Sequence, residues 1–219
     1  MPVREPDARR GAKFPLGVAL PVLLLLTWLF RHGRVGPLDF WWGMATIVAL
    51  GVGLGFVSDR SFLTRLRADG RAATGRKAAF GFASAIVLYG VFAAGRLAAL
   101  RLFPFAASGI ASVYGLKTGV GLARLITLLS LIIGPGEELF WRGFLQDGLM
   151  ARFGRWPGFA LTAVAYSLVH VATGNIMLVL AAGVCGVFWG WLYLARRSPL
   201  LNAVSHATWD IMAFVLWPL

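Results

Sequence analysis

Acid is what this sequence has least of: nine Asp and Glu stand against 21 Lys and Arg in 219 residues, a formal net charge of +12. Charge of either sign is scarce, at 14% of residues, where soluble domains average about a quarter. With 58% hydrophobic residues and a mean hydropathy of +0.75, too little hydrophilic surface remains to clothe a water-soluble globule, which excludes that class. A single cysteine, Cys185, rules out a disulfide within the chain. Its setting, an apolar run with Gly183 and Phe188, reads as small-residue packing. There is no internal repeat, no low-complexity tract and no sign of the paired halves of many transporters. The basic residues fall in short groups between apolar runs and not along one face, which argues against nucleic acid and for anionic lipid headgroups as partner.

Long apolar runs are what the sequence does have. Seven of them reach the roughly 17–25 residues that a helix needs to cross about 30 Å of hydrocarbon: 14–30, 37–57, 78–95, 120–144, 157–173, 176–195 and 199–219. The predicted fold is all-α, a polytopic transmembrane helical bundle of about seven spans (six to eight). Arg9, Arg10 and Lys13 precede the first run, but no small-residue cleavage site follows it, so it reads as an anchor and not a signal peptide. Gly134, Pro135 and Gly136 interrupt the fourth run and predict a break or kink. The stretch 97–117, with Phe103-Pro104-Phe105, suits a re-entrant or interfacial segment.

Charge asymmetry gives an orientation. With the N-terminus inside, the inner segments hold Arg4, Arg9, Arg10, Lys13, Arg60, Arg65, Arg67, Arg71, Arg76, Lys77, Arg152, Arg155, Arg196 and Arg197. The outer ones hold Arg31, Arg34, Arg96, Arg101 and Lys117, with Arg124 and Arg142 left inside the fourth run. The positive-inside rule then places the chain in the plasma membrane with a cytoplasmic N-terminus and an external C-terminus.

Three carboxylates lie where they should be costly: Glu137, Glu138 and Asp210. An ionisable group at membrane depth costs roughly 2.5–3.5 kcal/mol on insertion scales and is by default a functional one. Glu138 and Arg142 are four apart, so on a helix they share a face and can neutralise each other. Glu137 is turned about 100° away and is free to act as a general base; the structural alternative has both glutamates tying down Arg142. His170 ends the run Ala163 to His170, with Tyr166 one turn earlier on the same face. Asn202, His206 and Asp210 recur every four residues, a polar stripe on an apolar helix. His32, between Arg31 and Arg34, reads as a solvated interface residue. Glu, His and His on three late helices give a bundle the means to gather a polar site. The seven-span topology, however, puts His170 near the outer end of its run and Glu137 in the cytoplasmic half of its own, unless the fifth helix starts earlier, tilts or is followed by a break at Gly174, or the span count is off by one.

This ordered set resembles the CPBP or ABI family of membrane proteases, which includes the CAAX prenyl endopeptidases. The family pattern is Glu-Glu-x-x-x-Arg, then Phe-x-x-x-His, then His-x-x-x-Asn or Asp. Glu137, Glu138 and Arg142 match the first element, His170 the second with Tyr166 in place of phenylalanine, and His206 with Asp210 the third. The resemblance covers 120–219 and makes that part the catalytic helices; 1–119 would supply scaffold and recognition within one integral membrane domain. It implies an intramembrane endopeptidase of the glutamic type acting on a membrane-associated protein or peptide. Glu137 and His170 would activate water, while His206 and Asp210 would serve the oxyanion, with Glu138, Arg142, Tyr166 and Asn202 in support. An ionised Asp210 cannot donate to an oxyanion as asparagine does, so its expected part is to orient His206. No cofactor is implied. Zinc held by Glu137, His170 and His206 is the alternative ligand reading, although no His-Glu-x-x-His run exists. A catalytically inactive immunity or scaffold protein of the same fold, or a proton-coupled transporter, are the competing functions.

Overall fold

Apolar runs with few helix breakers fold into helices here almost throughout. The computed structural model describes residues 15–72 and 74–219; Arg4, Arg9, Arg10 and Lys13 lie outside them. The order is α1 (Pro15–His32), a two-residue antiparallel ribbon β1 (Arg34–Val35) and β2 (Leu38–Asp39), α2 (Phe40–Ser58), α3 (Arg60–Arg71), α4 (Thr74–Leu102) and α5 (Ala106–Gly115). One unbroken helical run then passes through α6 (Leu122–Thr127), a π-helical segment (Leu128–Ile133), α7 (Gly134–Glu138), a second π-helical segment (Leu139–Gln146) and α8 (Asp147–Phe153). It is followed by α9 (Arg155–Val171), α10 (Ile176–Arg196), α11 (Pro199–Asp210) and a terminal π-turn (Ile211–Leu216).

The chain is all-α apart from that ribbon. Among the described residues, α2, α4 and α10 are long and apolar enough to cross a membrane, and α1 is apolar over Gly17–His32. The remaining expected spans are helical but shorter or composite: the fourth is the α6–α8 run, the fifth the 17 residues of α9 and the seventh α11 with its π-turn. A count of seven crossings therefore does not follow from helix length. At 1.5 Å per residue, the ten residues of α5 span only about 15 Å, too short to cross, and residues 97–102 belong to α4.

Local signals set the boundaries. Asp39 caps α2 by accepting from Trp42 N at 3.1 Å, Asp59 caps α3 through Ser61 N, and Asn175 caps α10 through Met177 N. Gly174, at φ +68, ends α9 in the left-handed region. Packing places α11 between α4 and α7, α9 against α10 and α8, and α1 against α2. The core they share includes Leu26, Leu29, Val48, Phe140, Trp141, Leu145, Trp189 and Leu201. Large apolar side chains such as Leu24, Trp28, Val87, Leu131, Leu168 and Trp191 point outward instead, as lipid-facing residues do.

Candidate active site

The two glutamates stand on α7, two and three residues after Pro135, whose ring withholds an N–H from the continuous ladder just where the π-helical segment Leu128–Ile133 ends. The predicted break is absent: the ladder widens into π-turns before and after α7, and the helix runs on. The glycines serve close packing. A Cβ on Gly136 would lie 2.4 Å from Val48 Cγ1, and one on Gly134 would lie 3.2 Å from Ala207 N. Their bare backbone lets α2 and α11 close on either side of the helix that carries the acids.

Glu138 is fully buried and is the centre of a polar node. Its Oε1 accepts from Arg142 Nη1 at 3.0 Å and faces His206 Nδ1 at 2.8 Å, while its Oε2 accepts from Asn202 Nδ2 at 3.1 Å. Asn202 also donates to the Trp189 carbonyl at 2.7 Å. The Arg142 guanidinium lies 4.8 Å from the Tyr166 ring centroid and 5.8 Å from that of Trp189, the stacked setting in which a buried arginine is held best. Trp189 in turn stacks on His206, with centroids 3.7 Å apart and planes at 22°.

Glu137 is the less committed of the pair. Its Oε2 accepts from the Tyr166 hydroxyl at 2.8 Å and lies 3.9 Å from His206 Nε2; Oε1 has no hydrogen bond among the described residues. His170 faces the Tyr166 carbonyl through Nδ1 at 2.8 Å. A carbonyl only accepts, so Nδ1 carries the hydrogen and Nε2 keeps its lone pair.

The structure thus brings Glu137, Glu138, Arg142, Tyr166, Asn202, His206 and Asp210 into one cluster, with His170 at its edge. No hydrogen bond joins His170 to Glu137. Tyr166, one turn before His170 on α9, is the residue that reaches Glu137, and α9 itself starts at Arg155 and ends before Gly174. Asp210 differs from its expected part: its Oδ1 stands 3.7 Å from His206 Nε2, while the bond that orients the imidazole on Nδ1 comes from Glu138. The reason is geometric, since α7 and α11 pack face to face and Nδ1 points across to α7, not along its own helix. Oδ2 of Asp210 is buried with no hydrogen-bond partner in the structure. His32 is exposed and packs against Trp28, ring centroids 4.2 Å apart and planes tilted by 42°, away from the site.

Glu137, Tyr166, His170, Cys185, His206 and Asp210 line one end of a cavity of about 440 Å³. The other walls are mostly apolar, from Phe30, Met44, Phe92 and Ile110 among others, with Arg96 the charged exception, so α1, α2, α4 and α5 all contribute. Cys185, read as packing, packs and also faces this cavity; Trp189 was not anticipated at all. An aromatic residue in an apolar helix carries no sequence mark that it will stack on a histidine 17 positions away. Among the described residues, no three His, Cys, Asp or Glu side chains are grouped so as to hold a metal ion.

Residues 119–212 match the family model of the Type II CAAX prenyl endopeptidase Rce1-like proteins. This part of the chain is similar to the CAAX protease family, and the match supports that family for it. The match spans the six α-helices α6 to α11 and the two π-helical segments among them, and so contains every side chain of the polar cluster. No curated protein and no solved structure matches the chain. CAAX proteases are membrane proteins, and the apolar outward faces of α2, α4 and α10 fit that setting.

Proposed function

We propose that this protein is an intramembrane endopeptidase of the glutamic type, hydrolysing a peptide bond in the C-terminal region or membrane segment of a membrane-associated protein or peptide. The observation that carries the reading is the asymmetry of the glutamate pair. Glu138 is saturated by three partners, whereas Glu137 has one oxygen tied to Tyr166 and the other free, on the wall of a largely apolar cavity.

In the proposed reaction Glu137 accepts a proton from a water whose oxygen attacks the scissile carbonyl carbon. His170 Nε2, on the same wall, accepts a hydrogen bond from that water and helps to aim it. The carbonyl oxygen becomes an oxyanion that faces His206 Nε2, which donates when the imidazole is charged, its Nδ1–H being held by Glu138. Collapse of the tetrahedral intermediate breaks the C–N bond, and the proton on Glu137 passes to the leaving nitrogen. The products are a carboxylate-ended chain and a free amine, and Glu137 is regenerated. The apolar remainder of the cavity would hold substrate and exclude bulk water, with 1–119 supplying recognition.

Glu137→Gln keeps shape and size but cannot accept the proton. In membranes or liposomes its cleavage of a candidate substrate is expected to fall by roughly 10²–10⁴, with expression and thermal stability unchanged. Cleavage at the wild-type rate would sink the mechanism. The proposal is metal-free: dialysis against a chelator is expected to leave the rate unaltered, and loss of activity restored by zinc would overturn that part.

A further inference from the structure

The cavity that holds Glu137 is reached by another part of the chain that none of the chemistry above uses. Beyond Leu216 the helix ends, its last turn closed by Trp217 N donating to the Met212 carbonyl at 2.8 Å. Residues 217–219 continue without helical structure, and two tyrosines hold their backbone. Tyr89 of α4 donates its hydroxyl to the Trp217 carbonyl at 2.9 Å, and Tyr114 of α5 accepts from the Leu219 N–H at 2.8 Å. Between them Pro218 has no N–H to satisfy. The Leu219 side chain is partly buried and lines the same cavity as Glu137, His170 and His206.

Helix capping accounts for only part of this. The Tyr114 hydroxyl also donates to the Ala213 carbonyl at 3.0 Å, and Lys117 Nζ donates to the Phe214 carbonyl at 2.8 Å; these are orphan carbonyls of the last helical turns. The bonds to Trp217 and Leu219 lie past the helix. They engage a carbonyl and an N–H two residues apart, as a peptide-binding groove holds an extended chain by its main chain and leaves side chains to pockets.

We infer that Tyr89 and Tyr114 form a two-point clamp for the backbone of an extended peptide at the edge of the cavity that Tyr114 and Leu219 line, and that residues 217–219 occupy this clamp in competition with substrate. That the competitor is a peptide substrate rests on the endopeptidase reading; the clamp itself rests on the contacts of 217–219. An apolar side chain is favoured at the position Leu219 fills, since it packs against the hydrophobic core, whereas the main-chain bonds accept any residue at Trp217, which is 58% exposed.

Cys185 supplies a readout that needs no catalysis, being the chain's single cysteine, buried, and on the wall of this cavity. The full-length W217G/P218G/L219G variant, reconstituted in bilayers, is expected to react with N-ethylmaleimide at Cys185 roughly tenfold faster than wild type, on the scale of two net hydrogen bonds. A blocked Leu-Trp-Pro-Leu peptide should restore protection in that variant and fail to do so once Tyr114→Phe is added. L219K, which puts a like charge near Arg96 and so ejects one side chain without loosening the backbone, is the second variant should the triple glycine not fold, and is expected to change the rate in the same direction. An unchanged alkylation rate in the folded variants, or no protection by the peptide, overturns the clamp. On a cleaved substrate the triple-glycine protein should show a lower KM at equal kcat. If neither protein cleaves any peptide, the endopeptidase reading fails, and the Cys185 rates still decide the clamp.

Discussion

Glu138 accepts from Arg142, Asn202 and His206 together, while its neighbour Glu137 accepts from Tyr166 alone. That difference predicts opposite phenotypes for one chemical change at adjacent positions. Glu138→Gln leaves the fully buried Arg142 without its counter-charge, and stripping one partner from a buried ion pair costs about 3–5 kcal/mol. Thermal unfolding in detergent should show E138Q markedly destabilised and E137Q unchanged; equal stabilities would refute the assigned roles. Tyr166→Phe removes one hydrogen bond to Glu137 but keeps the ring beneath the guanidinium, so it should lower kcat with a stability loss of only about 1 kcal/mol. The cluster members were legible in the sequence because a polar residue in an apolar helix needs a partner. Their pairing was not. Spacing along α11 allies Asp210 with His206, yet Nδ1 is met by Glu138 from another helix, and no spacing rule sees across an interface.

Helices were legible for the same reason that spans were, since apolar runs of helical length admit little else inside a bilayer. What the runs hid was how each is built. Gly134-Pro135-Gly136 reads as a breaker in one dimension, whereas in three it is the flat face on which α2 and α11 pack. Gly136→Ala therefore forces Val48 aside, and because valine is stiff at χ1, overpacking should cost about 1–3 kcal/mol. Pairing it with Val48→Ala is expected to recover most of the loss, a coupling measurable by a double-mutant cycle on unfolding midpoints. At the α2–α3 junction, burial acts to raise the Asp59 carboxyl, but hydrogen bonds from Ser61 and Arg65 outweigh it and hold the group below its ordinary 3.8. A depressed folded-state value means that its stabilisation is present above the unfolded pKa and is lost as pH falls through the folded one. D59A should accordingly lower the unfolding midpoint at neutral pH, and its difference from wild type should narrow as pH falls below the ordinary carboxylate range and the native group takes up its proton.

At the scale of the whole molecule, the polar contacts outside the cluster gather at two opposite ends. One end joins Asp59 to Arg65, Arg65 and Arg197 to Asp147 at 3.5 and 2.7 Å, and Lys77 and Ser198 to Asp69. The other joins Arg124 to Asp39, Trp41 Nε1 to the Leu116 carbonyl at 2.9 Å and Lys117 to Phe214. Arg124, which the sequence left within a span, thus belongs to an end. This division matches the split of basic residues by loop, and the end rich in arginine is the one proposed to face the cytoplasm, against anionic headgroups. The orientation is open to direct measurement. In a Cys185→Ser background, single cysteines at Pro37 and Thr118 should react with a membrane-impermeant maleimide in intact cells. Cysteines at Ala72 and Arg196 should react only after permeabilisation. The reverse pattern would invert the topology and put residues 217–219, with the edge of the cavity that Leu219 lines, on the cytoplasmic side, so that substrate would have to approach from within the cell.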